Sequence, residues 1–412
     1  MSRCRVAIIA DDLTGALDGA APFAARGAAT RVVIALEQVE AVLAAWAGDL
    51  PEVIAVNTES RHLAPTIAAA RVTRAARALA PLAPEWWFKK IDSTMRGQVV
   101  AETMALRRAT GRRILLAPAV PAQGRTVRDA QVRVDGVPLA ATAYGQDARS
   151  APPSGPLDRL FAGEGVLLAR YQPLPGALLP DTDCVCDAAD SVDLARIQTS
   201  MGAAADSWLP VGAAGLSGAM ARQLFANGRP RQASPVGVTR RLYVVGSRSP
   251  RAAEQLARMR QVWPGLTVVE ALEPGTAELS TEEDRLVVVP GAGQFSADAV
   301  AAAMGEWVAR RVAAWPASAG ILLLTGGDTA MAVLQRLDVA FIEVVAEWAP
   351  GVPLGCLDGD PARSVITKAG GFGEPDMLVA LERGLGASAH AKTACAKIDD
   401  SGYCAAPQER LA

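Results

Sequence analysis

One pattern recurs along the chain: a short run rich in β-formers, a turn of Gly, Ser, Asp or Thr, then an Ala-rich amphipathic segment. Residues 5–10, 30–36, 52–57, 86–91 and 113–117 are candidate strands of this kind, with helical periodicity between most of them. Strands that alternate with helices run parallel, because each crossover returns the chain to the edge it started from. The pattern predicts βαβ units and a largely parallel sheet.

Between residues 125 and 141 the reading changes. "AQVRVDGVPLA" alternates on either side of Asp135-Gly136, a dipeptide suited to a two-residue hairpin, so an antiparallel excursion is expected there. A further strand at 206–211 and the helix "GLSGAMARQLFA" precede "NGRPRQASPVGVTRR", which has no periodicity. An interdomain linker is placed at 229–241, with 1–228 before it and a second α/β series at 242–386 after it. The 412-residue length exceeds one ordinary core and favours the same division. The tail, 387–412, shows no strong pattern. The expected fold class is α/β: two α/β/α domains with largely parallel or mixed sheets.

A net charge of −2 and a pI near 5.9 supply no general affinity for nucleic acid or anionic lipid, since both need a basic excess. The apolar run at 6–10 is too short for a signal-peptide core and no segment reaches a membrane span, so a cytoplasmic protein is expected. A homodimer is expected on base rates. The six cysteines form no CxxC pair and only two histidines accompany them, which disfavours a structural zinc site. Cys184 and Cys186 read as buried thiols on one face of a short strand. With two histidines and no GxSxG elbow, Ser-His-Asp chemistry is disfavoured too.

In open α/β sheets ligands bind beyond the carboxyl ends of the strands. In the first domain those junctions carry Asp11, Asp12 and Thr14; Asn57, Thr58, Ser60, Arg61 and His62; and Lys89, Lys90, Asp92, Ser93, Thr94 and Arg96. Carboxylates, hydroxyls and cations at one edge suit a small polyhydroxylated anion. Capping and solvation are the alternatives: Asp12 or Thr14 could cap the following helix, Asp11 could be capping or solvated, and Arg61 could be a solvated loop residue. "KKIDSTMRG" exceeds what capping requires.

The second domain has a different vocabulary. "VVGSRS", "LLTGGDTA" and "TKAGGFG" each put Gly with Ser, Thr or Lys between a strand and a helical pattern. Glycine admits close approach of a phosphate, and free N–H groups with the helix dipole favour the anion. No P-loop, protein-kinase signature or GxGxxG fingerprint is present, so phosphate binding would belong to another architecture.

Seven motifs in order, "IADDLTGALD", "VNTESRHL", "KKIDSTMRG", "APAVPAQGRTV", "VVGSRS", "TGGDTA" and "KAGGFG", resemble those of the four-carbon acid sugar kinase family, whose members include kinases of D-threonate and D-erythronate. The resemblance implies an N-terminal domain for the sugar acid, a C-terminal domain for ATP, and an active site in the cleft between them. It implies sugar-acid contacts from Asp12, Arg61, Lys90, Ile91, Asp92 and Ser93, with Arg96 added. It implies nucleotide contacts from Ser247, Gly326, Gly327, Asp328, Thr329 and Gly371, with Lys368 and Gly370 added. Lys368-Ala369-Gly370-Gly371 departs from the family, where Ser or Thr commonly follows the Lys and Asn stands within the glycine run, so one side-chain contact is missing.

Phosphoryl transfer to the terminal 4-hydroxyl is the implied reaction, and it is mainly a positioning problem. Arg61 and Lys90 are expected to fix the substrate carboxylate. Asp12 or Asp92 is expected to orient the hydroxyl and take its proton, a choice left open. Asp328 is the candidate ligand to Mg²⁺ carried by ATP. Domain closure is expected, with the linker as one hinge candidate. The rival expectations are a nucleotide-dependent dehydrogenase of hydroxy acids and a non-catalytic sugar-acid sensor.

Overall fold

The structure is a computed structural model that describes residues 3–146, 152–153, 155–202, 204–229, 238, 240–272, 285–291, 295–313, 315 and 320–385. The tail 387–412 and linker residues 230–237 and 239 lie outside them.

The first half of the chain forms strands β1 (Val6–Ala10), β2 (Thr30–Val33), β3 (Val53–Asn57), β4 (Trp86–Lys90), β5 (Arg113–Ala117), β6 (Arg125–Arg128), β7 (Gln131–Val134), β8 (Val137–Pro138), β9 (Ala169–Tyr171), β10 (Cys184–Cys186) and β11 (Trp208–Gly212). Its helices are α1 (Leu13–Ala24), α2 (Val39–Ala45), α3 (Pro65–Leu79), α4 (Val99–Thr110), α5 (Ser191–Met201) and α6 (Ala214–Leu224). The second half contributes β12 (Arg240–Val245), β13 (Thr267–Glu270), β14 (Arg285–Val289), β15 (Gly320–Thr325), β16 (Phe341–Ala349), β17 (Val352–Leu357) and β18 (Arg363–Lys368), with α7 (Pro250–Val262), α8 (Ala297–Ala313) and α9 (Gly327–Arg336). Residues 377–385 are also helical. β12 begins at Arg240, inside the segment read as linker.

Fifteen of these strands make one sheet, in the order β13-β14-β12-β15-β18-β17-β16-β2-β3-β1-β4-β11-β5-β10-β9. The β2-β3-β1-β4-β11-β5 run is parallel throughout, as the βαβ alternation requires. β1, β3 and β4 are buried along their whole length, which explains why they read as continuous apolar runs rather than as alternation.

The seam between the halves is antiparallel. β16 and β17 form a hairpin, and β16 pairs with β2 from Phe341 opposite Val33 to Val344 opposite Thr30. This hairpin went unread in the sequence, and it makes one continuous sheet where two separate ones were expected. The halves are therefore tied both by the chain crossing near residue 229 and by the β2–β16 ladder, so the linker cannot serve as a sole hinge.

Period-2 alternation sorts the second-half core. Leu242 and Val244 join an apolar cluster that runs on into the first half, while Tyr243 and Val245 join a separate one with Ile321, Leu323 and Ile366. The Asp135-Gly136 hairpin forms as expected: both residues have positive φ, 51° and 80°, between antiparallel β7 and β8. With β6 these strands make a small separate sheet. Cys184 and Cys186 are buried free thiols in β10, and burial pushes the Cys186 thiol well above its ordinary value.

Candidate active site

The carboxyl ends of β1, β3 and β4 deliver the first-half cluster to one wall of a cavity of about 1450 Å³, and the loops after β12, β15 and β18 form the facing wall. Asp12, Arg61, Lys90, Asp92, Ser93 and Arg96 line it, as do Ser247, Gly326, Gly327, Asp328, Thr329, Lys368, Gly370 and Gly371. Ile91 does not. It is buried at the end of β4, and only its carbonyl takes part, accepting from Lys90 Nζ at 3.2 Å.

Arg61 is the centre of the first wall. Its Nε and Nη2 donate to Asp11 at 2.7 and 3.0 Å, and its Nη1 and Nη2 donate to Asp12 at 2.6 and 2.8 Å. Four of the five guanidinium N–H groups are thus committed to protein carboxylates, which leaves Arg61 one N–H for the substrate carboxylate that it was expected to fix together with Lys90. Asp11 is neither a cap nor solvated: it is buried, and Arg61, with Lys89, outweighs the desolvation and holds its carboxyl below the usual range. Gly97, at φ 91°, closes over this pair; a β-carbon there would stand 2.8 Å from Asp11 Oδ2. That is why "KKIDSTMRG" ends in glycine.

Asp12 does cap α1, accepting from Gly15 N at 2.8 Å, and Thr14 Oγ1 donates to it at 2.7 Å. It also stands close to the facing wall. A β-carbon at Gly327, the first residue of α9, would lie 3.7 Å from Asp12 Oδ2.

Asp92 is tied differently. Its carboxylate accepts from Arg96 Nε at 3.0 Å and Nη2 at 2.9 Å, from Thr94 N at 3.1 Å and from the Thr94 hydroxyl. Burial alone would raise its pKa, but these Arg96 and Thr94 bonds, with the Arg61 charge, hold the carboxyl well below the usual range. A carboxylate so stabilised as the anion is a poor proton acceptor.

Lys89 and Lys90 show the pleat at work. Lys89 points away from the cavity into a fully buried pair with Glu102 at 2.8 Å, and Glu102 also accepts from Ser60 Oγ at 2.7 Å, which anchors the loop carrying Arg61. Lys90 points to the cavity beneath α1, where Gly19 clears its path: a β-carbon there would lie 3.2 Å from Lys90 Cδ. Asp18 of α1 pairs with Lys90 at 3.3 Å. Asp18 was missed in the sequence, although a lone acid one turn after Thr14 in an apolar helix marks it.

The facing wall is built by close backbone approach. β-Carbons at Gly246 and Gly370 would overlap Thr329 Oγ1 and Ser247 Oγ respectively, and Gly326 N donates to Lys368 O at 3.0 Å, locking the three loops together. Gly326, at φ 102°, precedes α9 without any side-chain cap, so the first N–H groups of this ten-residue helix face the cavity wall. Lys368 Nζ donates to the carbonyls of Ala369 and Phe372, both at 3.0 Å, and burial with the Arg251 charge lowers its pKa to about 8.

A family model described as a sugar-binding N-terminal domain matches residues 6–220, more than half of the chain, and one described as a nucleotide-binding C-terminal domain matches residues 268–378. A D-threonate kinase from Bordetella bronchiseptica is 35% identical over 91% of this chain and 96% of its own. The chain belongs to the four-carbon acid sugar kinase family. More distant relatives in this family bear the names D-erythronate kinase and 3-oxo-tetronate kinase. A solved Salmonella typhimurium LT2 protein, 19% identical, shares the fold with a TM-score of 0.73 over 92% of this chain and 99% of that one. A Bordetella bronchiseptica DUF1537 protein, solved as a domain-swapped dimer with bound citrate, is 32% identical over 93% of this chain and 98% of that one, with a TM-score of 0.51.

Within this four-carbon acid sugar kinase architecture, the sugar-binding model covers Asp12 through Arg96 and the nucleotide-binding model covers Gly326 through Gly371, while Ser247 falls between the two. Among the described residues no group of three His, Cys, Asp or Glu could hold a metal ion, and no helix is long and apolar enough to cross a membrane.

Proposed function

We propose that the chain is an ATP-dependent kinase that phosphorylates the terminal 4-hydroxyl of a four-carbon sugar acid such as D-threonate or D-erythronate. The observation that carries this reading is the apposition of Gly327, at the uncapped start of α9, to Asp12 and Thr14 across a single cavity. A phosphate held by α9 would meet a hydroxyl held by Asp12. Bringing the two groups together is most of what phosphoryl transfer asks of a protein. The names of the relatives agree with it.

In this reading Ser247, Gly326 through Thr329, Gly370 and Gly371 hold the nucleotide through backbone N–H groups, and Lys368 braces the loop. Lys90 and Ser93 hold the sugar acid. Asp12 orients the 4-hydroxyl and takes its proton as its oxygen bonds to the γ-phosphorus and the bond from that phosphorus to the departing ADP oxygen breaks, and Arg61 keeps Asp12 in place. A Mg²⁺ ion bound mostly by phosphate oxygens needs one or two protein carboxylates, and Asp328 on the cavity wall fits that donor set. Such an ion would neutralise phosphate charge. The 387–412 tail has no part in the reading.

The test is ADP release from ATP and Mg²⁺ against a panel of four-carbon sugar acids. Release dependent on one of them is expected. Its absence across the panel, or nicotinamide reduction in its place, would overturn the reading. Size measurement in solution tests the accompanying expectation of a homodimer.

A further inference from the structure

The cations lining the cavity divide by partner. Arg61 is held by Asp11 and Asp12, Lys90 by Asp18 and Arg96 by Asp92, and Glu59 lines the same wall, so five acids stand there against these three cations. A substrate carboxylate would add negative charge to a wall whose three cations are already paired with acids. One further cation lines this half of the cavity. Arg125 opens the small antiparallel sheet, and among the described residues it makes no ion pair. Its partners are neutral: Nη1 donates to the Gln123 carbonyl, and Nη2 donates to Tyr144 Oη at 3.1 Å, with the guanidinium 5.6 Å from the Tyr144 ring centroid.

We propose that Arg125 is a specificity-determining residue that receives the carboxylate of the sugar acid, with Tyr144 bracing it. This rests on the kinase reading above. Each terminal nitrogen of a guanidinium carries two N–H groups, and each has spent one on Gln123 or Tyr144. One N–H remains on each, the number that a two-pronged carboxylate contact uses. The braces leave the full charge uncompensated, whereas Arg61 delivers its charge to Asp11 and Asp12.

Placement supports the assignment. β5, which leads into this motif, is two strands from β4, with β11 between, and Arg125, which follows it at the start of β6, lines the same cavity as Lys90. A short sugar acid with hydroxyls at Lys90 and Asp12 can present its carboxylate toward that side. The motif "APAVPAQGRTV" acquires a role that capping or packing would not require: Gln123 and Arg125 both line the cavity, and Gly124, at φ 71°, turns the chain between them.

The test compares wild type, Arg125→Ala, Arg125→Lys and Tyr144→Phe, with folding checked by thermal unfolding. Substrates are the active sugar acid and the matching neutral tetritol, which has a hydroxymethyl group where the acid has its carboxylate. Arg125→Ala is expected to raise KM for the acid at least tenfold with the KM for ATP unchanged, and to shrink the acid-to-tetritol ratio of kcat/KM by a similar factor. Arg125→Lys is expected to restore part of that ratio. Titration of the acid into nucleotide-free protein should show the same order of affinities. An active wild type with an unchanged acid-to-tetritol ratio in Arg125→Ala would overturn the proposal, as would an equal loss for both substrates. A wild type inert toward every sugar acid would overturn the kinase reading instead, and binding of the acid to nucleotide-free Arg125→Ala at wild-type affinity would overturn this one.

Discussion

Gly327 and Asp12 belong to different halves of the chain, 315 residues apart in sequence, yet a β-carbon at Gly327 would stand 3.7 Å from Asp12 Oδ2. The contact joins an uncapped helix start to a carboxylate that is itself a helix cap. A helix start that favours a bound anion therefore stands beside a carboxylate that can accept from a hydroxyl.

Asp12 and Asp92 should separate on substitution. Asp12→Asn is expected to lower kcat by about 10²–10⁴, the usual scale for loss of a general base, with little loss of nucleotide affinity. Asp92→Asn removes a brace for Arg96 and Thr94 and is expected to cost about 1–3 kcal/mol of stability while keeping measurable turnover. Steady-state kinetics with denaturant unfolding checks both, and full turnover in Asp12→Asn would remove it from the role of base.

The nucleotide wall should tolerate no side chain at Gly370. An alanine methyl there would overlap Ser247 Oγ, and overpacking of this kind costs about 1–3 kcal/mol. The expected result for Gly370→Ala is an ATP KM raised about tenfold or more with sugar-acid binding, measured by titration, within twofold of wild type.

Lys89 and Glu102 form a buried pair outside the cavity lining. Glu102→Gln leaves the Lys89 ammonium buried without its counter-charge, at an expected cost of about 3–5 kcal/mol. The double variant Lys89→Met/Glu102→Leu should lose less than the single one. Urea unfolding measures both, and a double variant less stable than the single would count against this account.

Glu347 on β16 carries a pH effect of definite sign. Burial, with help from Asp18, raises its carboxyl to about 7 even though Gly351 N donates to it at 2.8 Å. An acid whose folded pKa exceeds its unfolded value binds more protons when folded, so stability falls as pH rises from about 4.3 to about 7 and is level above. Glu347→Gln keeps an acceptor for Gly351 and removes the titration. The variant is expected to match wild type near pH 4 and to exceed it at pH 8 by roughly 1–3 kcal/mol, read from unfolding midpoints.

Much of the site was legible because its chemistry is local. "ADDLTG", "KKIDSTMRG" and "TGGDTA" sit at strand-to-helix junctions that period-2 and helical patterning locate, and a parallel sheet must bring such junctions to one edge. The β16–β17 hairpin was not legible. Pro350-Gly351 marks its turn, but its strands alternate imperfectly, with register shifts near Val344 and Glu347, and the dipeptide sits among other Gly-rich loops.

By itself the sequence determined the βαβ order, the edge at which polar residues gather, and the division between a polyol-anion vocabulary and a phosphate vocabulary. These follow from short-range periodicity and turn chemistry, which neighbouring residues encode. Tertiary structure alone decided that Arg61 serves Asp11 and Asp12, that Lys89 turns to Glu102 while Lys90 turns to the cavity, and that β16 welds the halves to β2. The physical reason is that charge pairing and strand pairing are settled by which distant groups arrive within about 3 Å of one another, and local patterning carries no record of that distance.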